Sequence, residues 1–275
     1  MTTYTWSGVS APFTAPSFWS VNGTINGGLP GTVDVALFGG TTAYAVSAAS
    51  SVDLLAITDP SATVTLAGSA TIGFSGAGGL ANSGTLIGGD LAIIGTATTA
   101  ANLGSFVNTG TIAMPAGARL VITANTSTPL LGAIGMNGGT IDLGGAIDNS
   151  GATLSAAQFG AGGLMVDGSV TGGTIRNDGG VVFGPGHGET LPTLLNGVAL
   201  QGDFHLDGKL YVAGGLTVTD LSGSSSGSLA VSGDQFGSGI LFVLDSETLD
   251  NFTLTLSGLA QSGQGGACRS TTRRR

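Results

Sequence analysis

The sequence predicts an all-β chain, and more narrowly a single right-handed parallel β-solenoid (β-helix) opened by an aromatic N-terminal cap. Three observations predict it. The first is a phrase that keeps returning: Asn82-Ser83-Gly84-Thr85-Leu86, Asn108-Thr109-Gly110-Thr111-Ile112, Asn137-Gly138-Gly139-Thr140-Ile141, Asn149-Ser150-Gly151-Ala152-Thr153-Leu154 and Thr171-Gly172-Gly173-Thr174-Ile175. Asn and Gly suit a turn at positive φ, and the Thr-Ile or Thr-Leu pair places one residue outward and one inward on a strand. The second is spacing. Gly84, Gly110, Gly139, Gly151 and Gly173 are 26, 29, 12 and 22 residues apart, mostly within the range of stacked repeats, so each phrase reads as one corner of a coil of about 20–25 residues. The third is composition: 51 Gly with only 8% charged residues and 41% hydrophobic ones describes a chain that folds, because disordered chains are charged and poor in apolar groups. The glycines follow no three-residue period, which excludes collagen. Right-handedness follows from the general preference of parallel crossovers.

The elements follow in order. Residues 1–40 gather both tryptophans, Trp6 and Trp19, with Phe13, Phe18 and the prolines Pro12, Pro16 and Pro30; an aromatic, irregular segment suits the cover of an open stack end, so this segment is the cap and first coil. Residues 41–258 form the β-helix. Ala43-Tyr44-Ala45-Val46, Val52 to Ile57 and Thr63-Val64-Thr65-Leu66 are runs of solenoid-side length, and apolar and polar residues alternate with period two. Asn82, Asn108 and Asn137 hold one place in the phrase and predict a ladder of stacked side-chain amides. Val198 to Thr219 continues in short runs that end at Gly, followed by the apolar Ile240-Leu241-Phe242-Val243-Leu244 and the alternating Phe252-Thr253-Leu254-Thr255-Leu256. Residues 259–275 lose the pattern and read as a disordered or truncated tail.

The opening carries a resemblance. Tyr4-Thr5-Trp6-Ser7-Gly8, Pro16-Ser17-Phe18-Trp19-Ser20, Leu29-Pro30-Gly31 and Asp34-Val35-Ala36-Leu37-Phe38 resemble the opening of bacterial surface β-helix repeat proteins, both autotransporter-passenger-like and adhesin-like. In those the pattern is approximately W-x-G, a Trp near the next turn, V-P-G and D-x-A-x-F. Beyond that opening the chain is similar to them in style only. The resemblance implies a bacterial surface or secreted chain, extracellular in location, although Met1 to Trp6 has neither the basic region nor the apolar core of a secretory signal.

Charge narrows the partners. The formal net charge is −9, yet Arg269, Arg273, Arg274 and Arg275 supply four of the seven basic residues, so residues 1–267 carry three basic against sixteen acidic groups. An acidic body repels phosphate backbones, which argues against nucleic acid. No apolar stretch is long enough to span a membrane. Cys268 is the single cysteine, so no internal disulfide is expected.

Two clusters are candidates for chemistry. In Asp203-Phe204-His205-Leu206-Asp207 the strand period puts Asp203, His205 and Asp207 on one face. Two carboxylates around an imidazole could bind a metal or act as acid and base, but alternation alone also produces that polar face. In Gly184-Pro185-Gly186-His187-Gly188-Glu189, His187 and Glu189 could form an acid/base or ligand-binding pair on an exposed loop. Dinucleotide, P-loop and nonapeptide calcium motifs are missing, so no metal or cofactor is expected. The expected role is non-catalytic: a structural stalk or adhesin-like surface for glycans or surface proteins. The alternatives are a carbohydrate-active β-helix enzyme, a polysaccharide lyase or hydrolase, and a phage tail or fibre subunit.

Overall fold

Alternating polar and apolar residues build short strands, and the glycine-rich phrases between them turn the chain. In the computed structural model, residues 2–7, 10–25, 28–39, 43–46, 50–66, 68–95, 104–184, 193–206, 208–232, 239–244, 248–257 and 267–271 are described. The chain is mostly β and contains several parallel sheets. Among the described residues, helix is confined to one turn, Thr128–Leu131, and two 3-10 turns, Pro16–Phe18 and Ala157–Phe159. The chain forms two units, Met1–Ile141 and Asp142–Arg275.

In the first unit the chain visits three ladders in turn and returns to each one strand further along. Thr63–Leu66, Thr85–Ile87, Thr111–Ala113 and Ala133–Gly135 form one ladder, all parallel and in register. The long strand Ser69–Asn82 serves the other two: its first half pairs with Leu91–Ile94 and, at Ile72–Phe74, with Ser50–Val52, and its last residues pair with Leu54–Ile57 on one side and Ser105–Asn108 on the other. Register stacks like on like. Leu55, Leu80 and Phe106 form one inward column, and Val64, Leu86, Ile112 and Ile134 another, all buried. The steps in the first column are 25 and 26 residues and in the second 22, 26 and 22, so parallel strands recur at a spacing near 20–25 residues.

The recurring phrase does sit at corners, but its glycines act by two different routes. Gly84 and Gly110 lack positive φ; they are small because the preceding turn leaves no room. A Cβ on Gly110 would lie 2.0 Å from the Gly84 carbonyl oxygen, and one on Gly84 would lie 2.6 Å from that of Ala62. Gly151, at φ 70, has open space around its Cβ position and is needed for its backbone angle instead. We therefore expect Gly110→Ala to cost about 2–3 kcal/mol, because the clash is with backbone that must move. Gly151→Ala should cost only about 1–2 kcal/mol, the left-handed penalty of an L-residue. Urea denaturation of both variants checks the order.

The expected amide ladder forms at two of its three positions. Asn82 and Asn108 are buried and adjacent in register; Asn82 Nδ2 donates to Asn108 Oδ1 at 2.8 Å, and Asn108 Nδ2 donates to the Leu131 carbonyl at 2.8 Å. Asn137 falls outside the ladder. It sits exposed at φ 48, where it makes a left-handed turn and donates to the Met114 carbonyl. The shared phrase hides a different corner, because the two-glycine turn Asn137-Gly138-Gly139 places its Asn in the bend rather than at a strand end.

The N-terminal segment makes physical sense of its motif. Strand Thr3–Trp6 runs parallel to Val35–Phe38 on one side and antiparallel to Trp19–Val21 on the other, and Thr24–Ile25 continues the antiparallel ribbon. Trp6, Trp19 and Phe38 meet in one cluster with ring centroids 4.8–5.6 Å apart, and Phe13 packs on Trp19 at 4.9 Å. Asp34 fastens the turn: its carboxylate accepts the Thr2 amide at 2.9 Å and the Gly31 amide at 3.1 Å. Partial desolvation raises the Asp34 carboxyl, but the Thr2 and Gly31 amide bonds outweigh it and hold the group below its ordinary 3.8. A depressed folded-state value stabilises above the unfolded one and is lost as pH falls through the folded one. Wild type should therefore melt above Asp34→Asn at pH 6, and the gap should close below pH 3.8, as read by thermal melts across that range.

The second unit follows the same plan. Ala146–Asp148, Ser169–Thr171, the first part of Thr193–Gln201, the first part of Lys209–Thr219 and Ile240–Leu244 form one parallel ladder, with Ile147, Val170, Leu195, Val212 and Val243 inward. Thr153–Ser155, Thr174–Arg176 and the later parts of the two long strands form a second. Asp203–Leu206, Gly227–Ser232 and Phe252–Ser257 form a third. Asn149 is buried and donates to the Gly172 and Thr174 carbonyls at 3.2 and 3.0 Å, so it serves its corner as Asn108 does. Within the stretch read from sequence as a tail, Ala267–Thr271 is extended and pairs in parallel with Ile240–Leu244. The rest of that stretch lies outside the described residues.

Candidate functional site

The strand Asp203–Leu206 behaves as its alternation requires. Phe204 and Leu206 are buried, with Phe204 stacked on Phe183 at 5.5 Å, while Asp203 and His205 point outward and are exposed. The neighbouring strand puts Ser228 opposite Asp203. Ser228 Oγ donates to Asp203 Oδ1 at 2.6 Å, and His205 Nε2 lies 3.0 Å from Ser232 Oγ. Each candidate group thus has a serine of the next strand as partner, and the column continues outward as Ser228 and Thr253. Asp207, His187 and Glu189 lie outside the described residues.

Another carboxylate makes more bonds but serves a turn. Asp220 Oδ1 accepts the Ser222 hydroxyl at 2.7 Å and the Ser224 amide at 3.1 Å. The Ser222 hydroxyl bond is the main reason its carboxyl stays below the usual range, against the opposing effect of desolvation and helped by the amides of Ser224, Ser225 and Gly223. A group held as the anion by its own loop is a clamp, not a proton donor. Among the described residues no three His, Cys, Asp or Glu side chains come together as a metal site. No helix among them is long and apolar enough to cross a membrane.

A concave feature lies where the first two ladders of the second unit meet. The strands Thr193–Gln201 and Lys209–Thr219 turn this corner without ending, through a register shift between Asn196 and Val198 opposite Gly214 and Gly215. Gly173, Gly197, Gly214 and Gly215 all have positive φ, from 64 to 87. Such angles favour glycine, so these positions carry no side chain of their own, while the Asn196 side chain packs beside Gly214, its Oδ1 2.5 Å from where a Cβ would stand. The result is an open cleft of about 260 Å³ floored by these glycines and by Val198 and Ala199, with Thr217, Thr248 and Asp250 on its wall. Thr217 and Asp250 are neighbours in register, and Asp250 is exposed. The Leu216 amide donates to the Thr248 carbonyl at 3.0 Å and fixes that end of the wall.

Comparison with known protein families, curated proteins and solved structures found no match. The site is therefore read from its own residues. Sequence reasoning passed over the cleft because its glycines look like ordinary turn residues. A signal was present: Gly172-Gly173, Asn196-Gly197 and Gly214-Gly215 each interrupt a Thr- or Leu-rich run at the same point of the coil.

Proposed function

We propose that the chain is a non-catalytic bacterial surface or secreted repeat protein, folded as a right-handed parallel β-solenoid that acts as an acidic stalk or adhesive surface outside the cell. The observation that supports this reading is the in-register outward column of hydroxyl-bearing residues over each inward apolar one. Thr63, Thr85 and Thr111 form one such column, and Ser228 and Thr253, in register beyond the carboxylate of Asp203, form another. Repeated weak donors and acceptors along one face suit glycans or protein ligands, which gain affinity from many small contacts.

Two measurements on the purified chain test this. Immobilised protein is expected to retain glycans or surface proteins from a defined panel, and the soluble chain is expected to release no reducing ends from acidic polysaccharides. Release that disappears in the Asp203→Ala, Asp207→Ala double variant would overturn the reading in favour of a polysaccharide-cleaving enzyme.

A further inference from the structure

We infer that the glycine-floored cleft of the second unit is a subsite for an amine-bearing pyranose, one hexosamine unit of a glycan. The inference takes its glycan from the adhesive reading above, while its place and chemistry come from the cleft itself. A sugar ring is amphipathic, with a flat C–H face and a rim of hydroxyls. The cleft matches both. Its floor is backbone and small apolar groups, Gly197, Gly214, Gly215, Val198 and Ala199, on which a ring can lie flat. Thr217, Thr248 and Asp250 line the cleft as well, and Asp250 stands beside Thr217 on an adjacent strand.

Three features make this more than an incidental dent. The positive-φ glycines recur on successive rungs, so an L side chain is disfavoured at each of these positions rather than at one. The strands on either side continue through the corner, so the floor is held by the ladder and is rigid before any ligand arrives. The charge selects the ligand. With three basic against sixteen acidic residues in positions 1–267, the surroundings repel uronic and sialic acids, whereas a protonated amine at Asp250 makes a charge-assisted hydrogen bond. A volume of about 260 Å³ holds one ring rather than an oligosaccharide, so affinity per site is weak and useful binding comes from repetition along a polymer.

The experiment is a titration of the full chain with glucosamine, glucose, glucuronic acid and cyclohexylamine, followed by saturation-transfer NMR and calorimetry. Glucosamine is expected to saturate at millimolar concentration, as one small ligand in an open site should, and glucuronic acid is expected not to bind. Asp250→Asn should weaken glucosamine about tenfold and leave glucose unaffected, the signature of a charge-assisted contact. Ala199→Phe, which fills the floor without removing a polar group, should abolish both. Unchanged melting temperatures show that the variants fold. The inference is overturned if glucosamine fails to saturate, if cyclohexylamine binds as tightly, or if both variants bind like wild type. Should the glycan retention described above persist in Ala199→Phe, the cleft assignment fails and the adhesive reading stands; should retention be absent from wild type, the adhesive reading fails whatever the titration gives.

Discussion

Trp19→Ala is expected to lower the unfolding free energy by about 3–5 kcal/mol, the range for deleting a large aromatic from a packed core. Trp19 is fully buried, contacts Trp6, Phe13 and Phe38 through its ring, and donates its indole N–H to the Phe13 carbonyl at 2.8 Å. The substitution removes the centre of the cluster and leaves a buried carbonyl without its donor. Trp19→Phe separates the two contributions: it keeps much of the apolar volume and loses the hydrogen bond, so it should cost noticeably less than alanine. The position adds a consequence. The aromatic cluster joins the antiparallel ribbon Trp19–Val21 and Thr24–Ile25 to the strand Thr3–Trp6, which itself pairs with Val35–Phe38. Losing it frees the edge of a parallel ladder, and exposed ladder edges template association. Trp19→Ala should therefore also aggregate sooner on heating, measured by light scattering alongside circular dichroism. A loss below about 1 kcal/mol, the scale of one hydrogen bond, would mean that the cluster does not hold the segment in place.

What the sequence disclosed, and what it hid, follows from the range of each interaction. Alternation is local, so the inward places of Val64, Leu86 and Ile112 and the outward ones of Asp203 and His205 could be read directly from neighbours in the chain. The corner glycines were only half legible. Gly84 and Gly151 occupy the same place in the phrase, yet one is small because the Ala62 carbonyl is 2.6 Å from its Cβ position and the other because φ is 70. The difference depends on the coil before, which a single phrase does not contain. Asn137 shows the same limit: its partner depends on which corner the phrase builds, and the extra Gly138 changes that corner. The cleft was the least legible, because it is made of missing side chains on three separate rungs. Aligning Gly173, Gly197 and Gly214 requires knowing the pairing, and the pairing includes a register shift at Asn196 and Val198.

The two buried asparagines should be energetically coupled, with unequal single costs. Asn108 is satisfied on both ends. Its Oδ1 accepts from Asn82, and its Nδ2 reaches the carbonyls of Leu131 at 2.8 Å and Ala133 at 3.3 Å. Leu131 ends the helical turn Thr128–Leu131, where a carbonyl has no helical donor, so Asn108 caps it from the neighbouring coil. Asn108→Leu strands that carbonyl and takes one of two acceptors from the Asn82 amide, which still reaches the Thr111 carbonyl at 3.1 Å, so at about 1–3 kcal/mol for the unsatisfied buried carbonyl and about 1 kcal/mol for the lost bond it should cost about 2–4 kcal/mol. Asn82 differs, since its Oδ1 is buried without a hydrogen-bond partner among the described residues and its rung lies against Ile57. Asn82→Leu removes that open acceptor at the same time as it removes the donor to Asn108 and to the part-buried Thr111 carbonyl, so it should cost only about 1–2 kcal/mol. In the double variant neither asparagine is left waiting for the other, and the total should fall short of the sum of the singles by about 1–2 kcal/mol, within the range seen for residues of one hydrogen-bond network. Equilibrium denaturation of the four proteins closes the cycle. Strict additivity would show that the 2.8 Å contact between the two side chains contributes nothing, and that each asparagine serves only the backbone of its own corner.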